Sequence, residues 1–74
     1  IALSTNDGLG INAQNLGYLL NAKNIYFVPF RQDDPVNKST SLIADMDKMF
    51  DTVVCALKGK QYQPLLLGPV DNVG

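Results

Sequence analysis

Residues 4–15, Ser-Thr-Asn-Asp-Gly-Leu-Gly-Ile-Asn-Ala-Gln-Asn, gather hydroxyls, amides, a carboxylate and two glycines into one short run. An asparagine amide offers both a donor and an acceptor, and the hydroxyls of Ser4 and Thr5 do the same more flexibly. Backbone N–H groups around Gly8 and Gly10 can approach an anion where a helix begins. The run follows the apolar Ile1-Ala2-Leu3, which reads as the end of a buried strand. The carboxyl edge of such strands is where open α/β sheets bind ligands. Ser4, Thr5, Asn6, Asp7, Gly8 and Gly10 are therefore the candidate substrate- or cofactor-binding residues. The plainer reading is a polar turn, in which Asn and Asp bond their own backbone and glycine supplies positive φ. That accounts for one or two such residues more readily than for so many together.

Gly8-Leu9-Gly10-Ile11-Asn12-Ala13 matches G-x-G-x-x-A, the phosphate loop of dinucleotide-binding folds. Two features count against that reading. Ser4-Thr5-Asn6-Asp7 separate the strand from the first glycine, and the acids Asp33 and Asp34 lie beyond Pro29 rather than at a strand tip. Other chemistry is narrowed by composition. The chain has no histidine and one cysteine, Cys55, so neither a zinc site nor a Ser-His-Asp or Cys-His nucleophile can be assembled from it. No catalytic residue is assignable, and no metal is expected. The net charge is −1 with scattered lysines, unlike the basic patch of a nucleic-acid binder. The lone cysteine fits a reducing, cytoplasmic setting.

The elements that must position the loop are few, because 74 residues make one domain at most. Ala13, Leu16, Leu19 and Leu20 have helical spacing, with Asn12 as a candidate cap and Gly17 as a weak point. Ile25-Tyr26-Phe27-Val28 is the clearest strand, apolar without alternation and stopped by Pro29, as in a parallel sheet covered on both faces. Strand end, loop, helix and strand make a βαβ unit. Arg31 through Thr40 reads as a surface loop. Leu42, Ile43, Met46, Met49, Phe50, Val53, Val54 and Leu57 follow a helical pattern ending at Gly59, and the helix starts at Thr40 or Ser41, or near Asp47. Residues 63–67 add an edge strand or lie across the domain, and 68–74 form a flexible tail. The start at Ile1 suggests a piece of a longer protein. No apolar run approaches the ~20 residues of a membrane span, and nothing resembles a signal peptide.

Thr5-Asn6-Asp7, Lys23-Asn24-Ile25-Tyr26-Phe27-Val28-Pro29-Phe30 and Gly59-Lys60-Gln61 carry a more specific resemblance, spread over roughly residues 1–66. They are similar to the flavoprotein family that includes phosphopantothenoylcysteine decarboxylase. Asn6 aligns with the asparagine of that family's P-A-M-N motif, while Leu3, Ser4 and Thr5 replace its other residues. Asn15-Leu16 and Leu19 match the helix that follows. Met46 resembles the methionine of its R-M-x-x-P segment, which favours the shorter helix, about 47–58. The resemblance implies that residues 1–67 are the C-terminal part of a flavodoxin-like (Rossmann-type), doubly wound parallel α/β domain. It implies FMN as cofactor, with the phosphate-binding segment outside this chain, so that the piece alone is inactive. It further implies a homo-oligomer, a partner protein with a nicotinamide-binding domain, and oxidation of a small dihydropyridine dicarboxylate in the cytoplasm of a sporulating bacterium. Arg31, the only arginine, is a candidate to pair with such a dicarboxylate. The alternatives are a decarboxylase of the same superfamily and a non-catalytic nucleotide-binding or assembly module.

Overall fold

In the computed structural model, which describes residues 1–68, the run Phe27-Val28-Pro29-Phe30 is fully buried. Its backbone is held on both flanks. On one, the Ile1 nitrogen donates to the Tyr26 carbonyl (2.7 Å) and the Val28 N–H donates to the Ile1 carbonyl (2.8 Å). This is the slanted pattern of parallel neighbours. On the other, the Phe30 N–H donates to the Leu65 carbonyl (3.0 Å) and the Leu67 N–H donates to the Phe30 carbonyl (2.9 Å), a parallel bridge of Phe30 with Leu66. Between these contacts the Gln61 side-chain amide stands in for a strand. Its Oε1 accepts the Phe27 N–H at 2.8 Å and its Nε2 donates to the Phe27 carbonyl at 2.6 Å, so both buried backbone groups are satisfied. Residues 25–28, where the sequence suggests the clearest strand, thus form no regular strand: Ile1 runs parallel on one flank, and the Gln61 side chain takes the Phe27 bonds that a neighbouring strand would make.

The regular elements are β1 (Ser4–Thr5), α1 (Ala13–Leu20), β2 (Phe30–Asp34), β3 (Lys38–Ala44) and α2 (Met49–Leu57), the last preceded by a 3-10 turn at Met46–Lys48. The three strands form a sheet in the order β1-β3-β2, antiparallel throughout. The described residues are thus a mixed α/β arrangement. Parallel contacts are confined to residues 26–30, and the β2–β3 hairpin adds the antiparallel ladder. Ile1-Ala2-Leu3, expected as the end of a buried strand, is no regular strand and is exposed at Ile1 and Ala2, because among the described residues Ile1 is bonded on a single flank.

That hairpin lies where the sequence suggests a loop. Its turn is closed by Asp34, whose carboxylate accepts both the Asn37 N–H and the Asn37 side-chain amide at 3.1 Å. Those bonds, the backbone one foremost, hold the Asp34 carboxyl below the usual carboxylate range. Pro35 presets the backbone for the turn. Gln32 Nε2 donates to the Ser39 carbonyl (3.0 Å) and ties the two arms together. In β3, Leu42 and Ala44 are buried while Ile43 turns outward, the alternation of a strand. Leu42 and Ile43 also fit a helical period ahead of Met46, and so short an apolar run cannot be told apart by periodicity alone.

The shorter second helix is the one that forms. Asp45 opens it, accepting the Asp47 N–H on Oδ1 at 3.1 Å. Gly59, at φ 72°, closes it: the Gly59 N–H donates to Ala56 (2.9 Å) and the Lys60 N–H to Cys55 (3.0 Å), a Schellman ending that requires a left-handed residue. The core is built on Phe27, Phe30 and Leu42, with Leu3, Leu16, Leu19, Ile25 and Leu65 packed against it. The rings of Phe27 and Phe30 sit 6.0 Å apart and tilted by 57°, within the range of favourable aromatic pairs. Met46, Phe50, Val53 and Leu57 are exposed and Thr52 is the buried residue of α2. The apolar stripe of this helix therefore faces away from the described core. Nothing lies within 4 Å of where a Gly17 side chain would begin, so close packing does not explain that glycine. The tail expected over 68–74 lies, Gly68 apart, outside the described residues. Among them no helix is long and apolar enough to cross a membrane.

Candidate functional site

The loop after β1 is two hydrogen-bonded structures joined at Asn6 and Asp7. The first is centred on the Asp7 carboxylate. Its Oδ1 accepts from Asn12 Nδ2 (2.8 Å) and from the Thr5 hydroxyl (2.8 Å). These bonds, that from Asn12 foremost, hold the Asp7 carboxyl below the usual carboxylate range. The Asp7 carbonyl accepts the N–H groups of Gly10 (2.9 Å) and Asn12 (3.2 Å). Asn12 occupies the N-cap position expected for it but makes no side-chain cap bond. Its amide is committed to Asp7, and its Oδ1 accepts from Asn15 Nδ2 at 3.0 Å.

The second structure ties the loop to β3. The Leu9 N–H donates to the Thr40 carbonyl (3.0 Å) and the Thr40 hydroxyl donates to the Asn6 carbonyl (2.7 Å). The Ser41 hydroxyl donates to Asn6 Oδ1 at 3.2 Å. Asn6 itself is exposed, and its Nδ2 has no partner among the described residues.

Glycine is needed at position 8 for a reason the sequence does not show. Gly8 does not adopt the positive φ expected of a turn glycine. It is buried, and a Cβ there would lie 2.7 Å from Leu42 Cδ1 and 2.9 Å from Thr5 Cγ2. Gly10 likewise lacks positive φ, and a Cβ there would meet only ordinary contacts, the nearest at 3.6 Å. Its N–H is already bonded to Asp7 and is not free to meet an anion.

Thr5, Gly8, Asn12 and Asn15 line a hollow of about 190 Å³ with the apolar Leu3, Leu16 and Leu19. Of the six candidate residues, Thr5 and Gly8 reach this hollow. Asn6 faces the β3 side, Ser4 is exposed opposite Ile43, Asp7 holds the loop together, and Gly10 lies outside the lining. Thr40, Ser41, Asn12 and Asn15 join the site without having been singled out for it. Arg31 does not join it. Its Nη2 pairs with Asp45 at 3.3 Å, and it lines a separate hollow of about 220 Å³ beside Leu9 and Leu42.

FMN does not fit these residues alone. A phosphate needs several free N–H groups converging on one point, whereas those of Leu9, Gly10 and Asn12 are spent within the protein. The hollow is also smaller than the roughly 300–1,000 Å³ typical of ligand pockets.

A short strand of an antiparallel three-stranded sheet, a polar loop and a following helix make these residues a piece of an α/β fold. Comparison with known proteins makes the likeness particular. Over 67 residues the chain is 48% identical to the B subunit of dipicolinate synthase from Bacillus subtilis (strain 168), covering 90% of this chain and 34% of that protein. The crystal structure of the B subunit of dipicolinate synthase from Bacillus halodurans C matches with a TM-score of 0.88 at 50% identity, covering 89% of this chain and 34% of that one. No protein-family model matches. The chain spans about a third of the length of each relative.

Proposed function

We propose that this chain is the C-terminal part of the flavoprotein subunit of dipicolinate synthase. In this reading the Ser4–Gly10 loop forms one wall of the pocket for a dihydrodipicolinate precursor. The observation that carries the proposal is the 48% identity to the Bacillus subtilis protein, which extends over nine-tenths of the chain. The reaction is oxidation of a dihydropyridine dicarboxylate to aromatic dipicolinic acid during sporulation, a two-electron change for which a flavin or nicotinamide would supply the hydride acceptor. The chain's own contribution is binding. Asn6 presents its amide to a substrate carboxylate, and Ser4 adds a hydroxyl beside it. The Asp7–Asn12–Thr5 bonds hold the loop in shape without contacting substrate. FMN is held by the remainder of the polypeptide, since residues 1–68 offer its phosphate no cradle. The partner is the other polypeptide of dipicolinate synthase, the A subunit, with a nicotinamide-binding domain. The flavoprotein works as a homo-oligomer in the mother-cell cytoplasm.

Titration of the purified full-length protein tests this. Saturable binding of dipicolinate, and a visible flavin absorption band after FMN is added and the excess removed, are the expected results. A folded full-length protein that takes up neither compound would overturn the reading.

A further inference from the structure

We propose that Ser41 is a positioning residue that fixes the Asn6 amide, so that the site shows its ligand a donor and selects an oxygen acceptor such as a carboxylate. The inference rests on the reading of the loop as a ligand wall. Asn6 and Ser41 are 35 positions apart in sequence, and β3 brings them together. The Ser41 side chain is buried, at 2% exposure, so its hydroxyl must find an acceptor within the protein. Asn6 Oδ1, at 3.2 Å, is the acceptor it has among the described residues. Rotating the amide to place Nδ2 there would let the Ser41 oxygen accept, but it would leave the buried hydroxyl proton without an acceptor among the described residues. The oxygen of Asn6 is therefore turned inward and its NH₂ outward. The Thr40 hydroxyl, bonded to the Asn6 carbonyl at 2.7 Å, fixes the backbone from which the amide projects. Taken alone, an asparagine can recognise either a donor or an acceptor. Held by Ser41, it recognises an acceptor only.

The test is dipicolinate affinity in the full-length protein, measured by calorimetry for Ser41→Ala, Asn6→Ala, the double variant and Asn6→Asp. Ser41→Ala is expected to weaken binding about tenfold, the scale of one ordinary hydrogen bond, and to have no further effect once Asn6 is alanine. Asn6→Asp keeps the acceptor for Ser41 but turns a carboxylate oxygen outward, so it is expected to weaken binding more than Asn6→Ala does. A Ser41→Ala effect that is absent, or equal in both Asn6 backgrounds, would overturn the positioning role while leaving the loop as the site. An Asn6→Asp protein that binds as tightly as the natural one would overturn the donor assignment. If Asn6→Ala itself leaves affinity unchanged, the loop is not the dicarboxylate site and both proposals fall.

Discussion

Asn6→Ala is expected to lower dipicolinate formation by the reconstituted two-component enzyme by about one to three orders of magnitude, as loss of one preorganised bond in an active site typically does. The side chain is exposed, so no packing is lost with it. The structural cost is confined to the Ser41 hydroxyl, which loses its acceptor and is buried. Such a loss costs about 1–3 kcal/mol. Assays well below the melting temperature therefore separate the two effects. Asn12→Ala is the control: it removes a bond to Asp7 and leaves the Asn6 contact to Ser41 in place, so its activity is expected to fall less. Full activity in Asn6→Ala, or a loss that appears only as the protein unfolds, would show that the loop is a polar turn.

Phe27→Ala is expected to destabilise the full-length protein by about 3–5 kcal/mol, the usual range for deleting a buried aromatic ring. Phe27 is 1% exposed and packs against Phe30 in the centre of the core. Tyr26 is only half-buried, and its hydroxyl reaches the end of α2, 3.7 Å from where a Gly59 side chain would begin. Tyr26→Ala is accordingly expected to cost clearly less. Urea denaturation of both variants measures the difference. Equal losses, or a negligible loss for Phe27, would mean that the 27–30 run is not the core of the fold.

What could be read from sequence, and what could not, divides along range. The burial of Phe27 and Val28 follows from local composition, as do α1 and the Gly59 ending of α2, and all are present. The β2–β3 hairpin is hidden because its strands are polar over Arg31–Asp34 and Lys38–Thr40, and polar strands carry little period-2 signal. The turn that closes it is local: Asp34 and Pro35 open it, and Asn37 returns two bonds to Asp34. Thr40 and Ser41 are hidden with the hairpin, because they meet Asn6 only where β3 runs back beside β1. Gln61 is invisible for the same reason, since a side chain acting as a strand rung 34 residues away leaves no periodic trace. Gly8 has a packing reason that local rules do not reach. Its lack of a side chain serves contact with Leu42 and Thr5, not a left-handed turn. The outward stripe of α2 is a pattern that local rules find but cannot orient, because they do not say which neighbour a helix meets.

The most direct measurement is a crystal structure of the full-length protein in complex with dipicolinate. The expected result is a ligand carboxylate oxygen within about 2.7–3.2 Å of Asn6 Nδ2, with Asn6 Oδ1 still accepting from Ser41. Dipicolinate bound elsewhere, with the Asn6 amide facing only water, would contradict the assignment of this loop as the wall of the site.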